Sequence, residues 1–171
     1  MWRIALDRAS DERGSFVRTF DALRFAALGL ATSWALAGEA RNARAGTLRG
    51  LHYQREPHGE TKLIRCTRGA VYDVLLDVRP DSRSYGRWAA FELHEDDGVA
   101  LYAPPGIAHG YQTLREETVV HYLISAPYDA DAASGFRYDS PALAIAWPLP
   151  VAVISERDRA LPPFARSRVD A

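Results

Sequence analysis

The sequence predicts an all-β protein, a jelly-roll β-barrel with one or two short helices. From residue 47 onward, short runs enriched in β-branched and aromatic residues alternate with stretches rich in Gly, Pro, Asp and Ser. These runs recur about every 8 to 12 residues, which is typical of an antiparallel sandwich or barrel. A chain of 171 residues is long enough for one domain with a real core and too short to expect two.

The single domain, 1–171, is expected to begin with an N-terminal arm over residues 1–45. Within the arm, "DERGSF" (11–16) has the composition of a charged turn that opens a strand. The stretch "FDALRFAALGLA" (20–31) is rich in Ala and Leu, and Gly29 near its end is a signal that a helix stops there or soon after. It is therefore predicted as a short helix.

Residues 46–128 are expected to form the barrel core. Its strands are predicted in six runs: "TLRGLHY", "TKLIRCT", "AVYDVLLDV", "RWAAFEL", "GVALYA" and "TVVHYLIS". Residues 129–171 are predicted to pack over the barrel as a largely irregular segment, because Pro and turn-forming residues interrupt it throughout. The last residues, after Phe164, are expected to be loose.

Composition restricts the partners and the compartment. Twenty-one Lys and Arg residues against 22 Asp and Glu residues give a net charge of -1, and no run of like charges predicts a nucleic-acid groove or a membrane-binding face. Cys66 is the single cysteine, so an intramolecular disulfide, a cysteine-ligated zinc site and a CxxC redox pair are excluded. The N-terminus has early charges and no apolar leader segment. We therefore expect a cytoplasmic protein.

Alternation along the strands predicts polar groups inside the barrel. In "AVYDVLLDV", Asp73 shares a strand face with Val71 and Leu75, and by the same rule Lys62 and Tyr122 share faces with apolar neighbours. Each of the three, taken alone, also fits an edge strand whose polar face meets solvent. Together they indicate a wet functional cavity, because an unpaired buried polar group is costly.

Residues 46–54, "GTLRGLHYQ", raise the question of whether His52 binds a metal, transfers a proton or closes a turn. A metal site in a small β-barrel commonly offers an HxH pair with a nearby carboxylate, whereas here Tyr53 and Gln54 follow the histidine. The other histidines are isolated from one another along the chain. Convergence of His52 with His109 would supply only two ligands, so the sequence argues against a metal.

The proton-transfer interpretation needs an imidazole, a carboxylate to orient it, a cation for the developing oxyanion and a proton donor on the other side. His52 is the candidate base, and Asp158 or Asp73 the candidate orienting carboxylate. Lys62 is the candidate cation and Tyr122 the candidate donor. This set suits proton abstraction from a carbon next to a ketone, followed by return of the proton from the opposite face to invert the centre.

Two further residues have the chemistry to contact an anion. The guanidinium of Arg49 suits bidentate recognition of a phosphate, although a surface ion pair is the commoner fate of an arginine. His109 lies in the Pro- and Gly-rich stretch "APPGIAHGY" (103–111), which is predicted as a turn leading into a strand. Such a turn either presents the imidazole to a ligand or is closed by it through backbone hydrogen bonds.

With these residues assembled, the chain resembles the dTDP-4-dehydrorhamnose 3,5-epimerase family, cupin-type enzymes of deoxysugar nucleotide biosynthesis. The similarity covers nearly the whole chain, in the order "DERGSF", "GTLRGLHYQ", "KLIRCTRGAVYDVLLDVR", "PPGIAHGY", "HYLISAPY", "DSPALAIAWPL" and "ISERD". It implies a cupin-type jelly roll without a metal or an organic cofactor. It also implies a nucleotide-diphosphate sugar as substrate and a homodimer with exchanged N-terminal segments.

Position by position, the resemblance implies roles for individual residues. His52 is the expected base, paired with Asp158 rather than with Asp73, and Tyr122 is the expected acid on the opposite face. Lys62 is expected close to the sugar carbonyl. The expected substrate contacts are Arg49 and His109 for the sugar and its diphosphate, Arg13 (from the neighbouring subunit) and Tyr128 for the nucleotide, and Gln54 and Asp73 within the same site.

Several positions depart from the family pattern. They are Arg18, where an acid is common; Ala37, Gly38 and Glu39, where a polar "QxN" pattern is usual; Ala133, where a glutamate is common; and Arg157, where lysine is usual. These positions concern the nucleotide and the outer sugar shell rather than the proton-transfer pair. The sequence therefore predicts an epimerase acting at C3, C5 or both of a nucleotide-linked 4-keto-6-deoxyhexose, with the nucleotide base left open.

Three other functions stay open at this point. One is a 3,4-ketoisomerase or a C3-only epimerase on a different nucleotide sugar, the second a non-catalytic sugar-nucleotide binding module, and the third a metal-dependent cupin oxygenase or isomerase. Tyr122 as an opposite-face acid argues against the ketoisomerase. The joint presence of the four candidate catalytic residues argues against the binding module, and the missing HxH argues against the metal enzyme.

Overall fold

The computed structural model describes residues 1–165, with twelve strands and two short helices. In chain order these are β1 (Trp2–Ala5), β2 (Arg8–Asp11), β3 (Gly14–Val17), α1 (Ala22–Ala27), β4 (Leu36–Asn42), β5 (Leu48–Gln54), β6 (Lys62–Arg68), β7 (Ala70–Asp77), β8 (Trp88–His94), β9 (Val99–Ala103), β10 (Ile107–Thr113), β11 (Thr118–Ile124), β12 (Ala133–Gly135) and α2 (Glu156–Arg159). The all-β prediction is confirmed, and each of the six predicted runs contains a strand. The predicted looseness after Phe164 concerns mainly residues 166–171, which lie outside the described residues.

Two five-stranded antiparallel sheets make up the body of the fold. The first has the strand order β1-β9-β6-β11-β4 and the second the order β12-β5-β10-β7-β8, while β2 and β3 form a separate hairpin. Alternate side chains from both sheets form one buried cluster, including Ile64 and Leu101 from the first sheet and Leu75 and Tyr111 from the second. The inward-facing side chains of the two sheets therefore meet in the interior, where Asp73, Lys62 and Tyr122 were predicted to lie.

The segment around α1 covers the outer face of the first sheet. Asp21 caps the helix, because its carboxylate accepts hydrogen bonds from two backbone N–H groups of the first turn, each at 3.1 Å. Gly29 ends the turn with a φ of 68°, and Phe25 packs against Tyr102 of β9. The helix predicted within 20–31 is thus confirmed in place, though it is only six residues long. Within residues 1–165, neither helix is long and apolar enough to cross a membrane.

The segment after β12 covers the outer face of the second sheet. Leu143, Trp147 and Phe164 pack with Leu51 of β5 and Leu76 of β7. At the end of this segment, α2 forms a single turn that contacts β5. The C-terminal helix is thereby held beside the strand that contains the "RGLH" motif.

Two differences from the sequence prediction bear on the site. The stretch 103–111 was expected to place His109 in a turn, but the turn is confined to the residues around Pro105, and His109 lies in the middle of β10 between β5 and β7. Its small neighbours fit a strand that is buried on both faces, which explains the error. Strand β4 was not predicted, because "LAGEARN" is poor in β-branched residues; it survives as a largely exposed strand at the edge of the first sheet.

Candidate active site

A cavity of about 330 Å³ brings together most of the predicted catalytic residues. Its lining comes from both sheets and from the start of α2, and consists of Ala40, Arg49, His52, Tyr111, Tyr122, Ser155, Arg157 and Asp158. Tyr122 belongs to β11 of the first sheet, whereas His52 belongs to β5 of the second. A ligand in this cavity would therefore meet the histidine and the tyrosine from different sheets.

An irregularity in β5 places Arg49 and His52 on the same wall. Residues three apart on a regular strand point to opposite faces, yet both side chains line the cavity while Leu51 between them packs on the outside. The β5–β10 register shifts at this point, and Gly50 has a φ of 108°. A side chain at Gly50 would collide with the Gly110 backbone, 2.5 Å away, so the two glycines permit the close approach that re-aims the motif.

His52 forms a short hydrogen bond with Asp158. The Nε2 and Oδ1 atoms lie 2.7 Å apart, and Asp158 Oδ2 accepts the backbone N–H of Gly50 at 3.1 Å. Burial by itself would raise the pKa of Asp158, but the hydrogen bonds from His52, Gly50 and Ser155 outweigh it and lower that pKa. Because the carboxylate stays ionised, it accepts a proton-bearing Nε2, and Nδ1 of the neutral ring is left as the nitrogen that can take up a proton.

Lys62 lies behind His52 in a buried ion pair. Its ammonium contacts the Glu60 carboxylate at 2.9 Å and donates to the backbone carbonyl of His52 at 3.2 Å. Both side chains of the ion pair are about nine-tenths buried. Lys62 is also the single lysine in the chain, since the other 20 of its 21 basic residues are arginines. The compact ammonium is therefore held beside the backbone of His52 by one carboxylate and one carbonyl.

A second histidine–carboxylate pair lies beside the first. His109 is opposite His52 in the β5–β10 register, and its Nε2 lies 2.8 Å from Oδ2 of Asp73 on β7. Both residues are buried, and Oδ1 of Asp73 has no hydrogen-bond partner among the described residues. The sequence left Asp158 and Asp73 as alternatives for orienting His52, and the structure places only Asp158 against it.

Tyr122 faces this group from β11. Its ring meets that of His109 edge-on, with the centroids 5.8 Å apart. Burial, reinforced by Tyr111 and the charge of Asp73, raises the pKa of Tyr122 well above its ordinary value of 10.0. The phenol therefore keeps its proton near neutral pH and has one to donate. The inward placement of Asp73, Lys62 and Tyr122 that alternation predicted is confirmed.

Arg49 is joined to Tyr111 through Asn42. The Nε–H of Arg49 donates to Asn42 Oδ1 at 2.9 Å, and the Tyr111 hydroxyl donates to the same oxygen at 3.3 Å. The Nη2 of Arg49 also donates to the Arg41 carbonyl over a long 3.5 Å, and the residue as a whole remains exposed. Arg49 is thus available for an anionic ligand rather than used up in an ion pair.

Of the expected substrate contacts, Arg49 alone lines the cavity; His109 and Asp73 are buried beside it, and the other three lie elsewhere. Gln54 is buried, and its amide bonds only backbone groups: it donates to His58 and Pro127 and accepts from Asp129, at 2.7 to 3.1 Å. Gln54 therefore holds the loop that contains Tyr128, and Tyr128 itself is 62% exposed. Arg13 lies at the tip of the β2–β3 hairpin, where it pairs with Asp11 at 2.5 Å. The structure does not bring Arg13 or Tyr128 to the cavity within one chain.

The positions that depart from the family pattern fall into two groups. Arg157 lines the cavity beside Asp158. Arg18 pairs with Asp21 at 3.2 Å, and Glu39 pairs with Arg41 at 3.3 Å, both at the surface. Arg157 is therefore the one among them that reaches the wall of this cavity.

The site also includes polar residues that the sequence did not single out, among them Asn42, Glu60 and Tyr111. Tyr111 could have been found, because it has the same strand parity as His109 once "IAHGYQT" is recognised as a strand. Glu60 precedes β6 and Asn42 ends the unpredicted β4, so no pattern signalled either. Among residues 1–165, no cluster of three or more His, Cys, Asp or Glu side chains is arranged to hold a metal ion.

Comparison with known proteins relates this geometry to one family. The family model for dTDP-4-dehydrorhamnose 3,5-epimerase matches residues 1–166. The dTDP-4-dehydrorhamnose 3,5-epimerase of Sinorhizobium fredii is 46% identical over 125 residues, covering 72% of this chain and 64% of that protein, just under two thirds of its length. The dTDP-4-dehydrorhamnose 3-epimerase of Streptomyces niveus is 36% identical over 160 residues, covering 93% of this chain and 77% of that protein.

The fold comparison agrees with the sequence comparison. The crystal structure of dTDP-4-dehydrorhamnose 3,5-epimerase from Bacillus anthracis, with TDP and PPi bound, matches with a TM-score of 0.92 at 36% identity. The match covers 95% of this chain and 93% of that one, so the predicted cupin-type jelly roll is confirmed. Because the family model matches residues 1–166, the chain belongs to the dTDP-4-dehydrorhamnose 3,5-epimerase family.

Proposed function

We propose that the protein epimerises C3, C5 or both of a nucleotide-linked 4-keto-6-deoxyhexose. The observation that supports this most is that His52 and Tyr122 line one cavity from different sheets. Inversion requires a base on one face of the sugar and an acid on the other. A base and an acid on the same wall would instead return the proton to the face from which it came.

In the proposed reaction His52 removes the proton from the carbon next to the C4 ketone. The C–H electron pair forms the C=C bond of an enolate, and the carbonyl π pair moves onto oxygen. Tyr122 then gives its proton to the same carbon from the opposite face. Asp158 stabilises the imidazolium that forms on His52, because it is a carboxylate already hydrogen-bonded to that ring at 2.7 Å.

The cations of the site have separate roles in this proposal. Lys62 supplies positive charge near the carbonyl oxygen, where the enolate charge develops. Arg49 binds the diphosphate, which suits an exposed guanidinium held by Asn42 at 2.9 Å and only loosely by the Arg41 carbonyl at 3.5 Å. His109, fixed by Asp73, lies against the ring of Tyr122 and so supports the wall that the sugar would contact.

We also propose a homodimer in which the N-terminal segments are exchanged. The β2–β3 hairpin is paired with no other strand of the described chain and presents Phe16, 68% exposed, next to Arg13. An exposed apolar side chain, and an exposed guanidinium whose ion pair lies within the hairpin itself, suit contact with a second copy. Arg13 would then complete the neighbouring subunit's nucleotide site, together with Tyr128 stacking on the base.

The central experiment is incubation with dTDP-4-keto-6-deoxyglucose in deuterated water, followed by NMR. Deuterium at C3, at C5 or at both positions with inverted configuration is the expected result, and its position separates a 3-epimerase from a 3,5-epimerase. A keto group moved to C3 would instead identify a 3,4-ketoisomerase. Ligand-dependent thermal stabilisation without any exchange would identify a binding module, and label at neither carbon would reject this substrate.

Two controls make that experiment specific. Parallel reactions with the CDP and GDP analogues separate a changed base preference from a lack of activity. The variant His52→Asn should abolish exchange, whereas His94→Asn changes a histidine at the far strand β8 and should leave exchange unchanged. Persistent exchange in His52→Asn would show that another group is the base.

A further inference from the structure

We propose that Gly38 and Ala40 determine the sugar specificity, by leaving room beside Tyr122 for an acylamino group at C2 of the sugar. The substrate class is then a nucleotide-linked 2-acylamino-4-keto-6-deoxyhexose. The inference deepens the proposed function and rests on it, since it takes Arg49 to hold the diphosphate and Tyr122 to donate the proton. Strand β4 supports it through the small size, the order and the lack of charge of its cavity-facing residues.

The cavity-facing side of β4 is nearly without side chains where it meets the acid. Ala40 lines the cavity, and Gly38 has the same strand parity as Ala40. In the β4–β11 register Gly38 lies directly opposite Tyr122. Side chains at directly opposed positions of two antiparallel strands normally contact each other. Because Gly38 has no side chain, the wall is recessed next to the Tyr122 ring.

The backbone of β4 does not require a glycine at position 38. The φ of Gly38 is not positive, and a Cβ atom built there would meet only one described atom, Cδ1 of Leu36, at an ordinary 3.8 Å. By contrast, a Cβ atom at Gly50 or Gly110 would collide with backbone atoms at 2.5 and 2.8 Å. A glycine inside a strand weakens the strand and often marks a place that a ligand approaches closely. The open space at Gly38 is therefore available to a ligand.

The order of residues along β4 corresponds to the order of carbons in the sugar. At one end Asn42 holds Arg49, the proposed diphosphate ligand, at 2.9 Å. Further along the strand Gly38 lies opposite Tyr122, the proposed donor to the reacting carbon, and Ala40 lies between these two points. The diphosphate is bonded to C1 and one reacting carbon is C3, so C2 lies between them. A group on C2 would thus contact Ala40 and Gly38, whereas the ring oxygen between C1 and C5 carries no substituent.

The space beside β4 suits an uncharged group. The charged residues of the strand, Glu39 and Arg41, have the opposite parity and pair with each other at 3.3 Å. The Asn42 side chain is already engaged, because its Nδ2 donates to two backbone carbonyls at 3.1 Å and its Oδ1 accepts from Arg49. Over residues 36–42 the cavity face therefore offers no counter-ion for a carboxylate or an amine at C2. An acylamino group needs none.

The test compares two substrates that differ only at C2: dTDP-4-keto-6-deoxyglucose and its analogue with an acetamido group in place of the C2 hydroxyl. Deuterium incorporation and inversion in deuterated water give kcat/KM for each. We expect the two values to agree within about 10-fold, since a pocket without room would reject so large a group by more than this. A larger loss with the acetamido substrate would overturn the inference. Exchange with neither substrate would instead reject the proposed function.

The variant Gly38→Val fills the recess with a side chain that suits a strand. The ratio of kcat/KM for the acetamido substrate to that for the hydroxyl substrate should fall by at least about 10-fold. Ala40→Val should lower the same ratio, and it keeps the inference testable if Gly38→Val folds poorly.

The matched control is Ala37→Val, which adds the same side chain at an exposed position of β4 with the opposite parity. It should leave the ratio at the wild-type value. If Gly38→Val and Ala40→Val change the ratio no more than Ala37→Val does, the inference is wrong. It is also wrong if Gly38→Val leaves the ratio unchanged and instead dissociates a dimer in sedimentation experiments, because a second copy of the chain would then occupy the space.

Discussion

The two histidine–aspartate pairs of the barrel are neighbours on adjacent strands but differ in their surroundings. The His52 side chain is 37% exposed and opens into the cavity, whereas the His109 side chain is 5% exposed. Asp158 is bonded through both oxygens, to His52 and to the backbone of Gly50. Asp73 is bonded through one oxygen only, and its other oxygen has no partner among the described residues.

The His52–Asp158 pair is therefore suited to gaining and losing a proton, whereas the His109–Asp73 pair is suited to holding a fixed geometry. A carboxylate whose oxygens are both satisfied stabilises a positive partner, and the lowered pKa of Asp158 reflects this. The cavity leaves the His52 side chain open to solvent. The His109 pair is enclosed by the apolar core, where an extra charge would be poorly solvated. We infer that the first pair works on the proton and the second supports the wall.

The largest expected contrast comes from replacing the histidines. His52→Asn should lower kcat by about 10³-fold, within the range for a positioned acid–base group, with little change in stability. His109→Asn should mainly destabilise the fold, by about 3 kcal/mol, because it weakens the contact with a fully buried carboxylate. Steady-state kinetics and urea unfolding of both variants check the pattern. Equal kinetic losses at unchanged stability would mean that both histidines take part in proton transfer.

A smaller contrast is expected for the carboxylates. Asp158→Asn should reduce kcat by about 10²-fold, because the amide cannot stabilise an imidazolium and can favour the wrong ring tautomer. Asp73→Asn should change the free energy of unfolding by about 1 to 3 kcal/mol and kcat much less. Kinetics with unfolding curves measured on the same samples will separate these effects. A kinetic defect in Asp73→Asn larger than that in Asp158→Asn would reverse our assignment.

The same comparison shows what the sequence could predict. Asp73 was placed inside the barrel by strand alternation alone, since "AVYDVLLDV" is regular over its whole length. Asp158 lies 106 residues from His52 in an irregular segment, so only its resemblance to a family motif indicated the pairing. Local periodicity therefore identifies which residues point inward. It does not identify which of two distant carboxylates meets a given imidazole, because this depends on how the C-terminal segment folds back.

Irregularities of the backbone also limited how much of the site could be predicted from the sequence. Arg49 and His52 share the cavity only because the strand is distorted at Gly50, where β5 and β10 come too close for a side chain. Strand parity would have placed them on opposite faces. His109 was expected in a turn because Gly110 follows it, although that glycine in fact permits the close strand approach. In both places a glycine was needed for contact between backbones, which a single sequence cannot distinguish from a turn.

The Lys62–Glu60 ion pair offers a third and weaker test of the comparison. Lys62 contacts the backbone carbonyl of His52, so a change here should affect the His52 pair rather than the His109 pair. Glu60→Gln keeps the shape but removes the negative charge 2.9 Å from the ammonium. We expect kcat to fall by about 3- to 10-fold as the ammonium loses its orientation, with the stability of the His109 pair unaffected. Glu92→Gln, which removes an exposed carboxylate from β8, is the control. Because Lys62 is the single lysine, selective ¹⁵N-lysine labelling gives one side-chain signal, and an unchanged signal in Glu60→Gln would exclude the ion pair in solution.

The smallest effect concerns the acid stability of the fold. The pKa of Asp158 in the folded protein lies below its ordinary value of 3.8, so its contribution to stability is full above that value and is lost as the pH falls through the folded pKa. The stability difference between wild type and Asp158→Asn should therefore be constant near neutral pH and shrink between about pH 5 and pH 2. Urea unfolding at a series of pH values measures it, with the surface variant Asp139→Asn as the control. A difference that grows toward acid would mean that Asp158 is protonated in the folded state, and the contrast between the two pairs would then lose its electrostatic basis.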